Sequence, residues 1–520
     1  MNAFLKIHQQ DVMGTLSTFD RMIFKGHITM MFPRGAFAVF LYRQQVLLKD
    51  FGQYVEAASR HLKEHAQAVA EAAGRPFLYL QGATTKRSGD SKEDLARSIA
   101  QRDGVEEGLI GVFSVLEPAS SFAVQGNREM QRLEVVRRER KCLHFYFYYL
   151  DAEFGLIHVR LQSWFPFTLQ VYVNGRAWLA RQLERQGIAY EKYDNAFTWI
   201  EDPQAAERLC QRFAHRRWPR VLDALARRVN PLLPLIQRTG FGGYYWVLDQ
   251  GEFATDVMFR NRRTLERLFP DLVHDAMTDL GAEDVLRFLG RKLFGHFRGE
   301  VTSDLKRRPE GRRVKHRMKR NSLKMYDKWS ILRVEVTINN PREFKVLRVI
   351  STRYGRSRRW LPMGKGVANL WRYAQVGAQV NHRYLDALAH VQPKGKAVAE
   401  LDRLCRPITR HGKRFARLHP ISPGDCQLFQ AVLSGDHCIN GFRNCHLQER
   451  LYPTSATSPR EQQRRCAHVS RLIAKLRAHR LIAKVPGARR YHVTPLGYRT
   501  MSAAVHYRTV DFPRLALQAA

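Results

Sequence analysis

The segment EVTSDLKRRPEGRRVKHRMKRNSLKMYDKWSILRVEVTINN, residues 300–340, decides the fold that the sequence predicts for the middle of the chain. From Lys306 to Lys328 it contains eleven Lys or Arg residues and only two acids, Glu310 and Asp327. Turn-forming residues interrupt it at intervals that suit short β-strands. The predicted turns lie at Pro309–Gly311, Arg320–Asn321 and Trp329–Ser330.

The last predicted strand, residues 331–338, alternates between two kinds of side chain. One face carries Ile331, Arg333, Glu335 and Thr337, and the other carries Leu332, Val334, Val336 and Ile338. The pattern predicts a twisted antiparallel sheet with one apolar face and one strongly cationic face, which suits a phosphate backbone. Three acids lie within this field, namely Asp304, Asp327 and Glu335.

The composition of the whole chain points to a polyanionic partner. The 520 residues include 86 Lys or Arg and 48 Asp or Glu, which gives a net charge of +38. Such a charge opposes a compact fold unless a polyanion compensates it. Because the basic residues recur along the whole chain, nucleic acid is the expected partner. An anionic membrane is the competitor, but the sequence has no long apolar span or basic amphipathic anchor.

The expected compartment is the cytoplasm. Seven cysteines at irregular positions do not read as a disulfide framework in so long a chain. The first residues, MNAFLKIHQQDVMG, lack the charged and then apolar pattern of a secretory signal. No phosphate-binding glycine loop is present, so a nucleotide cofactor is not expected.

The C-terminal part shows three predicted helices, a hairpin and a fourth helix. The helices begin near Pro423, Phe442 and Pro459, and the last follows at Leu496. The matching motif consists of Leu472, Leu476, Leu481, Ile482, Arg490, Tyr491, Val493, Thr494 and Gly497. It resembles the winged-helix domains of bacterial regulators. That resemblance implies a third helix in the DNA major groove and a hairpin on the backbone or minor groove.

We therefore predict an α+β multidomain chain, with a mixed α/β N-terminal half, a central antiparallel basic β-sheet with helices, and a C-terminal winged helix. The predicted divisions are a helical region at 1–75, an α/β domain with a helical connector at 76–230, a basic-sheet domain at 231–391, a linker at 392–420 and the winged helix at 421–520.

Two groups of residues are expected to bind nucleic acid. The sheet group is Arg307, Arg308, Arg312, Arg313, Lys315, Arg317, Lys319, Arg320 and Lys324. The C-terminal group, implied by the winged-helix resemblance, is Arg464, Arg465, His468, Ser470, Arg471, Lys475, Arg489 and Arg490.

Residues 322–335 also resemble the rolling-circle replication initiation factors and the related relaxases of conjugative elements. The resemblance implies nicking of one strand by a tyrosine, with acids holding a divalent metal. The matching positions are Tyr326, Asp327, Lys328, Arg333 and Glu335. Tyr354, Tyr373 and Tyr384 are downstream alternatives for the nucleophile. The whole chain resembles uncharacterised bacterial mobile-element proteins.

The candidate metal ligands are acids, because Mg²⁺ or Mn²⁺ in a nuclease must join protein carboxylates to the scissile phosphate. They are Asp249, Glu252, Asp256, Asp304, Asp327 and Glu335. The alternative is that Asp327 and Glu335 pair with neighbouring bases across the strands.

Two classes of function remain open from the sequence. One is a metal-dependent DNA nicking or cleaving enzyme of mobile-element type. The other is a nucleic-acid binder without catalysis, either a transcriptional regulator or the protein of a ribonucleoprotein or RNA-directed system.

Overall fold

The computed structural model describes residues 1–81, 91–278, 280, 282–290, 301–308, 311–352, 355–389, 397–410, 412–434, 437, 441–485 and 487–511. The described strands are β1 (Val12–His27), β2 (Phe77–Leu80), β3 (Gly108–Asn127), β4 (Arg132–Asp151), β5 (Gly155–Gln162), β6 (Leu169–Asn174), β7 (Tyr190–Tyr193), β8 (Ala196–Ile200), β9 (Tyr245–Phe259), β10 (Val301–Arg308), β11 (Gly311–Met318), β12 (Asn321–Lys328), β13 (Ile331–Ile338), β14 (Lys345–Thr352), β15 (Gly355–Pro362), β16 (Ile408–Arg410), β17 (Lys413–Phe415), β18 (Ile482–Lys484) and β19 (Tyr491–Val493).

The described helices are α1 (Asn2–Ile7), α2 (Ala36–Arg43), α3 (Phe51–Ala72), α4 (Lys92–Arg102), α5 (Gly175–Arg185), α6 (Pro203–His215), α7 (Trp218–Val229), α8 (Leu233–Arg238), α9 (Arg262–Thr278), α10 (Ala282–Phe288), α11 (Leu370–Ala387), α12 (Ala397–Leu404), α13 (Pro423–Leu433), α14 (Asn444–Leu451), α15 (Pro459–Ala478) and α16 (Pro495–His506). The expected α+β class is confirmed.

Eleven strands form one sheet in the order β10-β11-β12-β13-β9-β1-β6-β5-β4-β3-β2. Every neighbouring pair is antiparallel except β2 and β3. The long strands β1 and β9 lie side by side at the centre, so they join the two halves of the sheet. The sheet therefore crosses the boundary that the sequence predicted at residues 230 and 231.

The N-terminal region contains the predicted helices, as α1, α2 and α3, but it also contains a long strand that was not predicted. Its central element is β1, a strand of sixteen residues that pairs with both β6 and β9. Burial alternates along most of β1, but the buried face includes the polar residues Thr18 and Asp20, so the alternation of polar and apolar residues in the sequence is weak. Phe19 and Asp20, two adjacent residues of β1, are both buried.

The four predicted strands of the basic segment are present as β10 to β13. Polar and apolar side chains lie on opposite faces of β13 as expected, but all eight residues are buried, so the polar face is not open to a partner. Of the three turns, residues 309 and 310 lie outside the described part of the chain. Gly311 begins β11 with φ +133°, and a Cβ there would lie 1.9 Å from the carbonyl oxygen of Asp327. Glycine at this position is therefore required by the close approach of β12.

The C-terminal region has a hydrophobic core of its own, built from residues between Leu404 and Ala504. The predicted elements α13, α14, α15, the β18–β19 hairpin and α16 occur in the expected order. Across the described residues, no helix is both long enough and apolar enough to cross a membrane.

Candidate functional site

The pairing of four strands sets charged residues opposite one another across the sheet. Facing residues of antiparallel strands point to the same side of the sheet. The first row consists of Arg313, Tyr326, Arg333 and Asp256, and the second contains Lys324 and Glu335. These six residues, together with Glu252, are named the charged face.

The centre of the charged face is a cluster of four buried ions. The Nε and Nη2 atoms of Arg333 donate to the two carboxylate oxygens of Asp256, at 2.7 and 3.0 Å. Arg176, at the start of α5, donates to Asp256 at 2.6 Å. Asp20 of β1 accepts from Arg333 at 3.2 Å. Two carboxylates thus balance two guanidinium groups.

Because these ions are buried, each of them needs a partner of opposite charge. Burial alone would raise the pKa of Asp256, but the charges of Arg176 and Arg333 outweigh it, so the pKa lies below its usual value. The side chains of all three residues are no more than 1% exposed. Removing one partner from such a cluster leaves an uncompensated buried charge, which is strongly destabilising.

A second ionic group adjoins the first. The Nζ atom of Lys324 donates to Glu335 at 2.5 Å and to Glu252 at 3.3 Å. Burial and the charge of Glu335 raise the pKa of Glu252. For Glu335, the charge of Lys324 overcomes burial and lowers the pKa. The ammonium group of Lys324 therefore occupies the position between the two carboxylates that a metal cation would otherwise take.

Asp327 lies on the opposite face from the other predicted catalytic residues. Its neighbours Tyr326 and Lys328 alternate with it along β12, and it accepts hydrogen bonds from the backbone N–H and the guanidinium of Arg312. The Arg312 guanidinium lies over the ring of Phe269 in α9. The structure therefore separates Asp327 from the charged face.

The remaining predicted catalytic residues are held in an unreactive environment. Burial, followed by the charge of Glu335, raises the pKa of Tyr326. Lys328 donates to Asn195 at 3.1 Å, and burial lowers its pKa. The alternative nucleophiles Tyr373 and Tyr384 are 1% and 0% exposed. Tyr354 lies outside the described residues.

Of the six predicted metal ligands, Glu252 and Glu335 are brought together on either side of Lys324, but the six do not form one group. Asp256, Glu252, Glu335 and Asp327 are bonded to basic side chains as described above, and Asp304 lies 3.4 Å from Arg313. Asp249 lies elsewhere on β9, where its charge acts on His27. Over the described ranges, no three His, Cys, Asp or Glu side chains are grouped as a metal site requires. This donor set does not fit Mg²⁺ or Mn²⁺ in the observed arrangement.

The predicted basic face of the sheet is only partly available to a partner. Arg313 and Lys324 are buried, which contradicts their expected exposure. Their burial is possible because acids on nearby strands neutralise them: Asp304 pairs with Arg313, and Glu252 and Glu335 pair with Lys324. The exposed members of the group are Arg307, Arg317, Lys319 and Arg320, while Arg312 and Lys315 are half-buried and the side chain of Arg308 is not described.

The predicted nucleic-acid-binding residues of the C-terminal group fall into two sets, those bonded to neighbouring side chains and those exposed to solvent. Arg465 is bonded to Glu461, and Lys475 lies 3.4 Å from Asp425. Ser470 accepts a hydrogen bond from Asn444 at 2.8 Å. The exposed residues are Arg464, His468 and Arg471 on α15 and Arg489 near the hairpin, whereas Arg490 is half-buried.

One basic element was missed in the sequence. Strands β14 and β15 form a two-stranded sheet of their own, which we call the ribbon. Its exposed residues include Arg356, Arg358, Arg359 and Trp360. The signal was present, because no Asp or Glu occurs between Glu343 and Asp386.

Comparisons with known proteins do not assign the chain to a family. No family model matches it, and no curated protein is significantly similar. A search of solved structures returned the crystal structure of the di-domain ARO/CYC BexL from the BE-7585A biosynthetic pathway, at 12% identity. The match covers 52% of this chain and 88% of that one, with a TM-score of 0.13, so it carries no argument.

Proposed function

We propose that the protein binds nucleic acid and that α15 docks in a groove of the duplex. The observation that carries the proposal is a stripe of basic residues along α15. It consists of Arg460, Arg464, His468 and Arg471, which are exposed and recur at intervals of four, four and three residues. Within the described part of the chain, these side chains have no ion pair or hydrogen bond.

The dimensions of α15 support this proposal. The helix has 20 residues and is therefore about 30 Å long. The major groove of B-DNA admits an α-helix, and arginine is the commonest residue to read guanine there. The β18–β19 hairpin follows α15 directly, and Arg489 beside it is exposed. The order of these elements supports the winged-helix interpretation, which remains a proposal.

The internal ion pairs strengthen the electrostatic argument. Buried acids such as Asp256 and Glu335 are matched by buried bases, so the net charge of +38 is carried mainly by exposed residues. A polyanion that releases counterions on binding would compensate this charge.

Metal-dependent nicking stays a prediction from the resemblance and is not part of this proposal. Three of its residues, Tyr326, Arg333 and Glu335, share the charged face but are nearly sealed from solvent. The test measures whether the protein converts supercoiled plasmid to the nicked or linear form in the presence of Mg²⁺ or Mn²⁺. Undiminished cleavage by a folded Glu335→Ala variant would remove this site from consideration. The origin in a mobile element likewise rests on the resemblance alone.

The binding proposal is tested with a labelled duplex at several salt concentrations. Changing both Arg464 and Arg471 to Ala should weaken binding at least about fivefold and reduce the slope of log K against log [salt] by about 2. The matched control changes Arg97 and Arg262 to Ala. Those arginines are 61% and 62% exposed but are paired with Glu93 and Glu266.

Equal losses in the two double variants would contradict docking through α15. If the wild-type protein bound no duplex and no single strand at low salt, the proposed function itself would be wrong. A defined RNA that copurifies with the protein and excludes DNA would favour the ribonucleoprotein class instead.

A further inference from the structure

The ribbon presents two faces of different character. Facing pairs run from Lys345 and Pro362 at its base to Thr352 and Gly355 at its far end. Eight residues of strand extend for about 26 Å. Because side chains alternate, one face carries Leu347, Val349 and Ser351 from β14, with Trp360, Arg358 and Arg356 opposite them. We call this the aromatic face of the ribbon.

The aromatic face is open to solvent. Leu347 is 43% exposed, Val349 is 59% exposed, and Trp360 is 65% exposed. No ring contact or hydrogen bond joins Trp360 to another described side chain. Exposed apolar groups of this size, set in a row, mark a surface that meets a partner.

The positive charge on the aromatic face favours an anionic partner. Arg356 and Arg358 lie on it, and both are exposed without an ion pair to any described residue. The absence of acids between Glu343 and Asp386 leaves nothing in the local sequence to neutralise them. An anionic partner with flat apolar surfaces fits both features.

The base of the ribbon is fixed to the rest of the protein. The Nη1 atom of Arg372 in α11 donates to the carbonyl of Leu347 at 3.2 Å. The N–H of Met363 donates to the carbonyl of Phe344 at 2.8 Å, and both of these side chains are buried. The aromatic face is therefore presented by an anchored element.

We propose that the aromatic face of the ribbon binds single-stranded nucleic acid. Bases stack on Trp360 and pack on Leu347 and Val349, while Arg356 and Arg358 hold the phosphates. A duplex hides the faces of its bases and offers only their edges, whereas a single strand exposes the faces that an aromatic side chain needs. This inference rests on the nucleic-acid partner proposed above and adds a second, separate contact.

The positions of the apolar residues favour a nucleic acid over an anionic membrane. Trp360 and Leu347 form the third facing pair from the base, whereas the far end carries Ser351, Thr352 and Arg356. Insertion into a bilayer would bring the polar end in first. A single strand lying across the face meets the apolar and basic residues together.

The test measures binding of a labelled oligothymidylate of about 15 nucleotides, a length within the site sizes of single-strand binders. Trp360→Ala should weaken this binding by about 5- to 150-fold, the effect of losing one stacked base. Trp360→Phe should retain most of it. Duplex binding should change little in either variant, because α15 is untouched.

The matched control is Tyr42→Ala, which removes an aromatic side chain that is 82% exposed in α2. Equal oligothymidylate affinity for wild type, Tyr42→Ala and a folded Trp360→Ala variant would overturn the inference while leaving duplex binding intact. Sedimentation with phosphatidylserine vesicles that depended on Trp360, with no effect on oligothymidylate, would also overturn it, in favour of a membrane.

Discussion

Residues 306–328 and the ribbon, residues 345–362, are both strongly basic β segments, but they meet opposite surroundings. In the first, acids on β9 and β13 face the bases, so Lys324 is buried between Glu252 and Glu335. The ribbon itself contains no acid, and Arg356, Arg358 and Arg359 remain exposed. The comparison shows that basic residues in a strand are available to a partner only where the neighbouring strands supply no acids to neutralise them.

The largest expected difference between the two regions is in stability. Arg333→Ala removes the guanidinium bonded to the buried Asp20 and leaves Asp256 with Arg176 alone, so it should lower the free energy of unfolding by about 3–5 kcal/mol. Arg358→Ala in the ribbon should change it by less than about 0.5 kcal/mol. Urea unfolding of both variants gives the comparison. Similar values for the two would show that the charged face is not the ionic core described here.

The next effect concerns a buried histidine on the face opposite the charged face. His316 lies 2.8 Å from Ser303 Oγ and 3.0 Å from the hydroxyl of Tyr384, and burial lowers its pKa from 6.5 to about 4. A depressed histidine pKa means that its stabilising contribution is present above pH 6.5 and is lost as the pH falls towards 4. The loss is about 1.4 kcal/mol per pH unit.

The control for this pH effect is His316→Gln, which has no titrating group. Its stability should fall less steeply than that of the wild type between pH 6.5 and 4. Parallel pH profiles for the two proteins would indicate that His316 is not held neutral by burial.

The smallest expected effect on stability is the difference between alanine substitutions at two glycines. Gly311 and Gly355 both have positive φ, of +133° and +109°. A Cβ at Gly311 would overlap the backbone of Asp327, whereas nothing lies within 4 Å at Gly355. Gly311→Ala should therefore destabilise by more than about 1 kcal/mol and by more than Gly355→Ala. Equal thermal shifts would contradict the close approach of β11 and β12.

Much of the local structure could be predicted from the sequence, because it depends on local signals. The turns after Met318 and Lys328 and the alternation of β13 follow from residue order alone. The helices and hairpin of the C-terminal region follow from the same kind of pattern. The position of β1 could not be predicted, since the polar residues Thr18 and Asp20 lie on its buried face and obscure the apolar alternation that identifies a strand.

The roles of the charged residues could not be predicted either. The acidic partners of Arg333 are Asp256, 77 residues away, and Asp20, 313 residues away. Only the strand order brings these segments together, so the sequence shows three unrelated charges. The alternative of cross-strand pairing was correct for both acids, since Glu335 pairs with Lys324 and Asp327 pairs with Arg312 of β11, although the second pair lies on the opposite face.

Photocrosslinking tests the central claim most directly, because it reports which segments touch nucleic acid. Oligonucleotides containing 4-thiothymidine, as a single strand and as a duplex, are crosslinked to the full chain, and the modified peptides are identified by mass spectrometry. We expect the single strand to label residues 345–362 and the duplex to label residues 459–478. Labelling of residues 321–338 in place of these segments would contradict the account.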